Sequence, residues 1–97
     1  MAWTFLSRLL AGKPRQRPDL HVVVFTRETC PLCDEAWKLL RGYQNRYGFT
    51  LEAIDIDTSP NLVDEHGEWV PVVVVNGQVR FRGHVNEVLL QRLLDAP

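Results

Sequence analysis

The chain has 97 residues, of which 45% are hydrophobic and 24% are charged, and its formal net charge is −1. This length permits one small hydrophobic core, the near-neutral charge gives no general attraction to nucleic acid, and two cysteines are too few for a disulfide-stapled secreted scaffold. No apolar run reaches the roughly 18–20 residues that a membrane span needs. We therefore expect a cytoplasmic, monomeric protein with no stable membrane insertion and no nucleic-acid partner.

The first eighteen residues differ in charge from the rest of the chain. They hold four basic residues and no acidic one, whereas the remainder holds seven basic and twelve acidic residues. Trp3, Leu6 and Leu10 recur at helical spacing and predict a short amphipathic stretch, which the prolines of residues 12–18 then end. A secretion signal is a poor interpretation, because the basic cluster follows the apolar part. We expect a basic amphipathic arm and linker at 1–18, packed on its own domain or a neighbour, and a folded domain at 19–97.

From residue 19 onward, apolar periodicity and turn residues divide the chain into strands and helices. A proline at the first helical position begins each of the first two helices, Gly48 ends the first of them, and Asn76-Gly77 marks a two-residue hairpin. The predicted elements are a strand at 20–25, a helix at 31–47, a strand at 49–57, a helix from 60 to the glycine at 67, strands at 71–75 and 78–82, and a helix from about 86 to 94.

This order, β-α-β-α-β-β-α, predicts an α/β fold. The first two strands and the helix between them should form a right-handed parallel unit, and the hairpin adds an antiparallel pair. The expected architecture is a four-stranded mixed sheet flanked by three helices. The acidic residues between positions 55 and 68 are expected to be solvated surface, and Trp37 and Trp69 are expected to serve packing more than substrate contact.

The two cysteines, Cys30 and Cys33, lie three residues apart at the junction of the first strand and the first helix. This spacing within one helical turn brings the two sulfurs within bonding distance. The helix N-terminus offers unpaired N–H groups and positive potential to Cys30, which favours the nucleophilic thiolate. Cys33, one turn further in, is the natural resolving thiol, which would attack a mixed disulfide formed on Cys30.

Two other interpretations of the cysteine pair stay open. Two thiolates are half of a tetrahedral zinc site, which His21, His66 or His84 would have to complete; no second ligand pair accompanies the cysteines, so we predict no metal site. A purely structural disulfide closing so small a loop would stabilise the fold little. Thiol–disulfide chemistry is therefore favoured.

Two segments carry a resemblance to a known family. Residues 25–33 read FTRETCPLC and residues 69–77 read WVPVVVVNG. The first resembles the active-site segment of glutaredoxins, and the second resembles their strand that begins at a cis-proline. Their order and spacing match over about residues 20–94, and the chain looks most similar to small bacterial glutaredoxin-like proteins with a CPxC motif.

The resemblance implies a thioredoxin-like fold and the reduction of disulfides in proteins or in glutathione mixed disulfides. It assigns the nucleophile to Cys30 and the resolving thiol to Cys33. It further implies glutathione as co-substrate, no tightly bound cofactor, and disulfide-containing proteins as partners. The residues that it places against glutathione or the substrate are Arg27, Leu32, Val70, Pro71, Gly83 and His84. Arg27 stands where the family often has a lysine that contacts the glycyl carboxylate of glutathione.

The loop after the hairpin departs from the family pattern. Glutaredoxins usually have two glycines and an acidic residue there, whereas this chain has Gly83 followed by His84, with Asn86 at the first acidic position. The electron donor is therefore open between glutathione and a thioredoxin reductase. Two non-catalytic hypotheses also stay open: a carrier of an iron–sulfur cluster or another metal, and a thioredoxin-fold module that binds a protein partner.

Overall fold

The computed structural model describes residues 15–97, so the predicted amphipathic stretch at the start of the chain lies outside the described residues. The described elements are strand β1 (His21–Thr26), helix α1 (Pro31–Tyr47), strand β2 (Thr50–Asp55), helix α2 (Pro60–His66), strand β3 (Val72–Val75), strand β4 (Gln78–Arg82) and helix α3 (Glu87–Asp95). The predicted order of strands and helices is confirmed. In this part of the chain no helix is both long enough and apolar enough to cross a membrane.

The four strands form one mixed sheet in the order β2-β1-β3-β4. Strand β1 runs parallel to β2 and antiparallel to β3, and β3 pairs antiparallel with β4. In the parallel pair, Thr26 lies opposite Asp55, so the loops that follow β1 and β2 leave the sheet at the same edge. This edge carries the cysteine pair.

Alternate residues of the strands point into the main core, as the period of two in a strand requires. The core cluster joins strand residues such as Val24 and Val73 to Leu40 of α1 and Leu94 of α3, all of them buried. Phe25, the neighbour of Val24, therefore points to the opposite side of the sheet, where its ring stacks on His66 of α2 with centroids 4.6 Å apart. Helices thus cover the sheet on both sides.

The predicted helix and turn signals are confirmed. Proline occupies the first turn of both α1 and α2. Helix α1 ends at Gly48, whose φ of 71° lies in the left-handed region that glycine adopts without a steric penalty. Asn76 and Gly77 turn the β3–β4 hairpin with φ values of 50° and 81°, which are the signs that a type I′ turn needs.

One local prediction was wrong, and one burial gave no signal in the sequence. Strand β2 ends at Asp55 instead of residue 57, because the Asp55 carboxylate accepts a hydrogen bond of 2.9 Å from the Asp57 N–H and a 3₁₀ turn (Ile56–Thr58) follows. His66, the last residue of α2, is buried. Its packing against Phe25 is a contact between distant elements that periodicity cannot indicate.

The last residues of the predicted linker lie against the folded domain. The Arg17 N–H donates to the Tyr47 carbonyl at 2.6 Å, and the Arg17 guanidinium donates to the carbonyls of Leu94 and Ala96 at 2.7 and 2.6 Å. Only 7% of Arg17 is exposed. The boundary at 18/19 stays a prediction, but Arg17 itself joins the C-terminal ends of α1 and α3.

Candidate active site

The cysteine pair lies where the chain passes from β1 into α1. Cys30 is the N-cap residue of α1, with extended φ and ψ angles, and helix geometry begins at Pro31. Cys30 and Cys33 form a disulfide with their Cα atoms 5.2 Å apart. The Cys33 N–H also donates to the Cys30 sulfur at a donor–acceptor distance of 3.2 Å. The sulfur of Cys30 thus occupies the position in which a capping side chain satisfies a free helix N–H.

The two sulfurs differ in their access to solvent. Cys33 is only 2% exposed, whereas Cys30 is partly exposed. An incoming disulfide can therefore reach Cys30 more readily than Cys33. When the pair is reduced, the Cys33 N–H and the helix N-terminus provide Cys30 with the surroundings that favour a thiolate. The geometry fits an attacking thiol at the surface and a second thiol below it.

Arg27, predicted to hold a glutathione carboxylate, is bound to a carboxylate of the chain itself. Its guanidinium forms a two-point contact with Asp57, at 2.7 and 3.2 Å, and also donates to the Gly67 carbonyl at 3.4 Å. Sequence reasoning placed Asp57 on solvated surface and missed this pairing. The parallel register of β1 and β2 was the available signal, because it carries the residues that follow both strands to the same edge of the sheet.

The hydrogen bonds from Arg27 hold the pKa of the Asp57 carboxyl below its usual range. A carboxyl whose pKa is lower in the folded state contributes stability that is present above its ordinary pKa and is lost as the pH falls through the lowered value. We therefore expect a carbon-detected NMR titration to show Asp57 titrating below an aspartate in an unfolded peptide. Arg27→Gln should return the Asp57 pKa to the ordinary range, and Arg92→Gln on α3 should leave it unchanged; an unaltered pKa in Arg27→Gln would contradict the pairing.

Val70 and Pro71 immediately precede β3, and the peptide bond between them is cis, as the resemblance implies. Pro71 is buried and Val70 is partly exposed. The N–H of Gly83, in the loop after β4, donates to the carbonyls of Pro71 and Trp69, both at 2.8 Å. The structure therefore brings Gly83 together with the segment before β3.

Leu32 and His84 line the same groove, together with Gly83 and part of α1. The groove has a volume of about 200 Å³ and separates the first turns of α1 from the loop after β4. Leu32 is 51% exposed, and His84 is also exposed. Three of the six predicted substrate residues thus share one surface beside the cysteines, whereas Arg27 lines a separate cleft.

The three histidines considered as zinc ligands lie apart in the fold. His21 begins β1 and approaches Glu52 at 3.5 Å, His66 packs on Phe25, and His84 follows β4. Within residues 15–97, no group of three or more His, Cys, Asp or Glu side chains is arranged to hold a metal ion.

The two tryptophans near the cysteines differ in exposure. Trp37 is partly buried against the main core and lines a cavity of about 210 Å³ next to Cys33. Trp69, immediately before Val70, is 55% exposed. Trp37 therefore has the packing role expected for both residues. The Trp69 ring, in contrast, is accessible to a ligand that approaches the segment before β3.

Comparisons with known proteins agree with this geometry. A family model described as Glutaredoxin-like domain (DUF836) matches residues 21–95. A protein of Methanothermobacter thermautotrophicus named a probable thioredoxin is 34% identical over 67 residues, which cover 66% of this chain and 79% of the relative.

Solved structures show the same architecture. The solution structure of protein Ne2328 from Nitrosomonas europaea is similar with a TM-score of 0.68 and 28% identity, over 76% of this chain and 89% of that one. The oxidised thioredoxin of Plasmodium falciparum is similar with a TM-score of 0.56 and 19% identity, over 81% of each chain. At that identity the second likeness concerns the fold alone, and it confirms the predicted thioredoxin-like arrangement.

Proposed function

Because the chain belongs to the glutaredoxin-like domain family (DUF836), we propose that it reduces disulfides of proteins or glutathione mixed disulfides, with Cys30 as nucleophile and Cys33 as resolving thiol. The general chemistry, thiol–disulfide exchange, rests on the thioredoxin-like fold and the close cysteine pair. The roles of the individual residues and the choice of substrate are the proposal.

The reaction balances within the cysteine pair and the substrate. The Cys30 thiolate attacks one sulfur of the substrate disulfide, the substrate S–S bond breaks, and the departing thiolate takes a proton from solvent. The Cys33 thiolate then attacks the Cys30 sulfur of the mixed disulfide and releases the second substrate thiol. The substrate gains two electrons and two protons, and the protein is left with the Cys30–Cys33 disulfide. An external thiol reductant returns the pair to the dithiol form.

One observation carries this proposal: the Cys30 sulfur caps α1 and accepts the Cys33 N–H, while Cys33 is almost completely buried. The N–H group that would stabilise a Cys30 thiolate thus belongs to the backbone of Cys33, the proposed resolving residue. A structural disulfide has no need of this difference in exposure. A nucleophile followed by a resolving thiol requires it.

The proposal is tested with the reduced full-length protein and a small symmetric disulfide, such as cystamine. We expect titratable protein thiols to fall from two to none while two small thiols appear for each protein molecule. The oxidised protein is then offered glutathione or a thioredoxin reductase system in separate reactions, and the faster return of protein thiols identifies the donor class. Dithiothreitol serves as the control that the disulfide is reactive. If the protein keeps its two thiols in excess disulfide while dithiothreitol is oxidised under the same conditions, the proposal is contradicted.

A further inference from the structure

A second cleft lies between the two loops that carry the proposed reactive residues. The loop from β1 to α1 supplies Arg27, three residues before Cys30, and the segment from α2 to β3 supplies Trp69, just before Val70. The hydrogen bond from Arg27 to the Gly67 carbonyl ties the two segments together. The cleft has a volume of about 350 Å³. Its lining residues are Arg27, Val63, Asp64, Glu65, Gly67, Glu68 and Trp69.

Among the described residues 15–97, the one basic residue that lines this cleft, Arg27, is already neutralised. Asp57 engages the Arg27 guanidinium at two points, and only 35% of the Arg27 side chain is exposed. A carboxylate from a ligand would have to displace Asp57, which fits the planar guanidinium in the two-point geometry that makes such pairs strong. The pairing therefore removes Arg27 as a free anion-binding group.

The other charged residues that line the cleft within the described part of the chain are acidic. Asp64, Glu65 and Glu68 line it and are all exposed to solvent. Together with the Arg27–Asp57 pair they amount to four carboxylates against one guanidinium. The potential in the cleft therefore favours a cation and repels an anion.

Trp69 adds an aromatic surface to the same cleft. It is 55% exposed, although it is among the largest apolar side chains of the protein. An exposed indole face attracts a lysine or arginine side chain both through its apolar stem and through the cation–π interaction. The cleft thus presents an aromatic ring next to carboxylates, which is a combination that suits a basic side chain.

We propose that this cleft binds a lysine or arginine side chain next to the reactive cysteine of an extended protein segment. The inference rests on the proposed function, since the cleft selects substrates for the Cys30–Cys33 pair. Glutathione carries two carboxylates and one ammonium group and is an anion at neutral pH. The cleft therefore selects protein disulfides with basic flanks over glutathione mixed disulfides.

The test compares three substrates that carry the same fluorescent thiol in a disulfide bond. One is a peptide with lysines on both sides of its cysteine, the second has glutamates there, and the third is glutathione; dithiothreitol recycles the protein. At low ionic strength we expect kcat/KM for the lysine peptide to exceed that for the glutamate peptide and for glutathione about fivefold to tenfold, because each exposed charge pair contributes only modestly. In 0.5 M salt the preference should shrink to about twofold or less, because added salt screens exposed charges.

Two triple variants separate the cleft from the general negative charge of the domain. Replacing Asp64, Glu65 and Glu68 by Asn, Gln and Gln should bring the ratio of the two peptides close to one. The matched control replaces Glu52, Glu87 and Asp95 by Gln, Gln and Asn, which removes the same charge from β2 and α3, and it should keep most of the preference.

A third variant, Asp57→Asn, releases the Arg27 guanidinium and should raise kcat/KM for the glutathione substrate about threefold.

The outcomes distinguish the inference from the proposed function. If the wild-type protein reduces all three substrates at equal rates, or glutathione fastest, the charge selection is wrong and disulfide reduction stands. If the control triple variant loses the preference as completely as the cleft variant, the cleft is not its origin. If adding the protein speeds the reduction of none of the three substrates beyond the rate with dithiothreitol alone, the proposed function fails, and the inference fails with it.

Discussion

Cys30→Ser is expected to lower the rate of disulfide reduction by on the order of a thousandfold or more. A serine hydroxyl at neutral pH stays protonated and cannot replace the thiolate that attacks sulfur. The capping position itself tolerates serine well, so the variant should keep its fold, and the loss should lie in the chemical step. The measurement is turnover of a small disulfide with dithiothreitol as reductant, with circular dichroism to confirm the fold.

Cys33→Ser is the matched variant, because it removes the second thiol and leaves the first. We expect it to form a covalent adduct with one half of the substrate disulfide, which mass spectrometry of the intact protein detects, since no resolving thiol releases it. Cys30→Ser should form no such adduct, because Cys33 is buried. Full turnover by Cys30→Ser would contradict the assignment of the nucleophile, and dispensability of both cysteines would favour the partner-binding hypothesis.

The parts of the fold that the sequence predicted well are those fixed by short-range chemistry. Pro31 can begin a helix because the first helical N–H has no partner to lose. Asn76 and Gly77 adopt the positive φ angles of the hairpin turn because glycine has no Cβ and the short asparagine side chain tolerates the left-handed region. The cysteine spacing places both sulfurs in one helical turn. Each of these signals acts within about four residues, so a single sequence displays it completely.

The features that escaped prediction depend on contacts between distant elements. Arg27 resembled a free ligand for a carboxylate until the parallel register brought Asp57 beside it. His66 ends α2 and is buried on Phe25, a contact that its local sequence does not indicate. A charged or aromatic residue in a polar stretch gives the same local pattern whether it faces solvent or another element. The proposed substrate preference is argued from such a pairing, which the motif alone does not display.

Arg17 is the clearest instance, because the sequence indicates only a basic linker between prolines. Its side chain is 8% exposed, and it lies where α3 ends and leaves backbone carbonyls without helical partners. The guanidinium donates to the carbonyls of Leu94 and Ala96, and Asp19 pairs with it from the solvent side. One cation therefore satisfies the end of the last helix and attaches the chain before β1 to it.

Arg17→Met is therefore expected to lower the free energy of unfolding by about 2–4 kcal/mol, because hydrogen bonds to a charged donor are lost and the Leu94 carbonyl at the end of α3 loses its guanidinium partner. Methionine retains the apolar stem, so the loss reflects the guanidinium contacts and not an empty space. Urea unfolding followed by circular dichroism measures the change. The matched control is Arg15→Met, since Arg15 is exposed and makes one bond to the Ala96 carbonyl; its effect should stay within about 0.5 kcal/mol. Equal effects of the two substitutions would show that Arg17 is an ordinary surface cation, and that the folded domain begins after it.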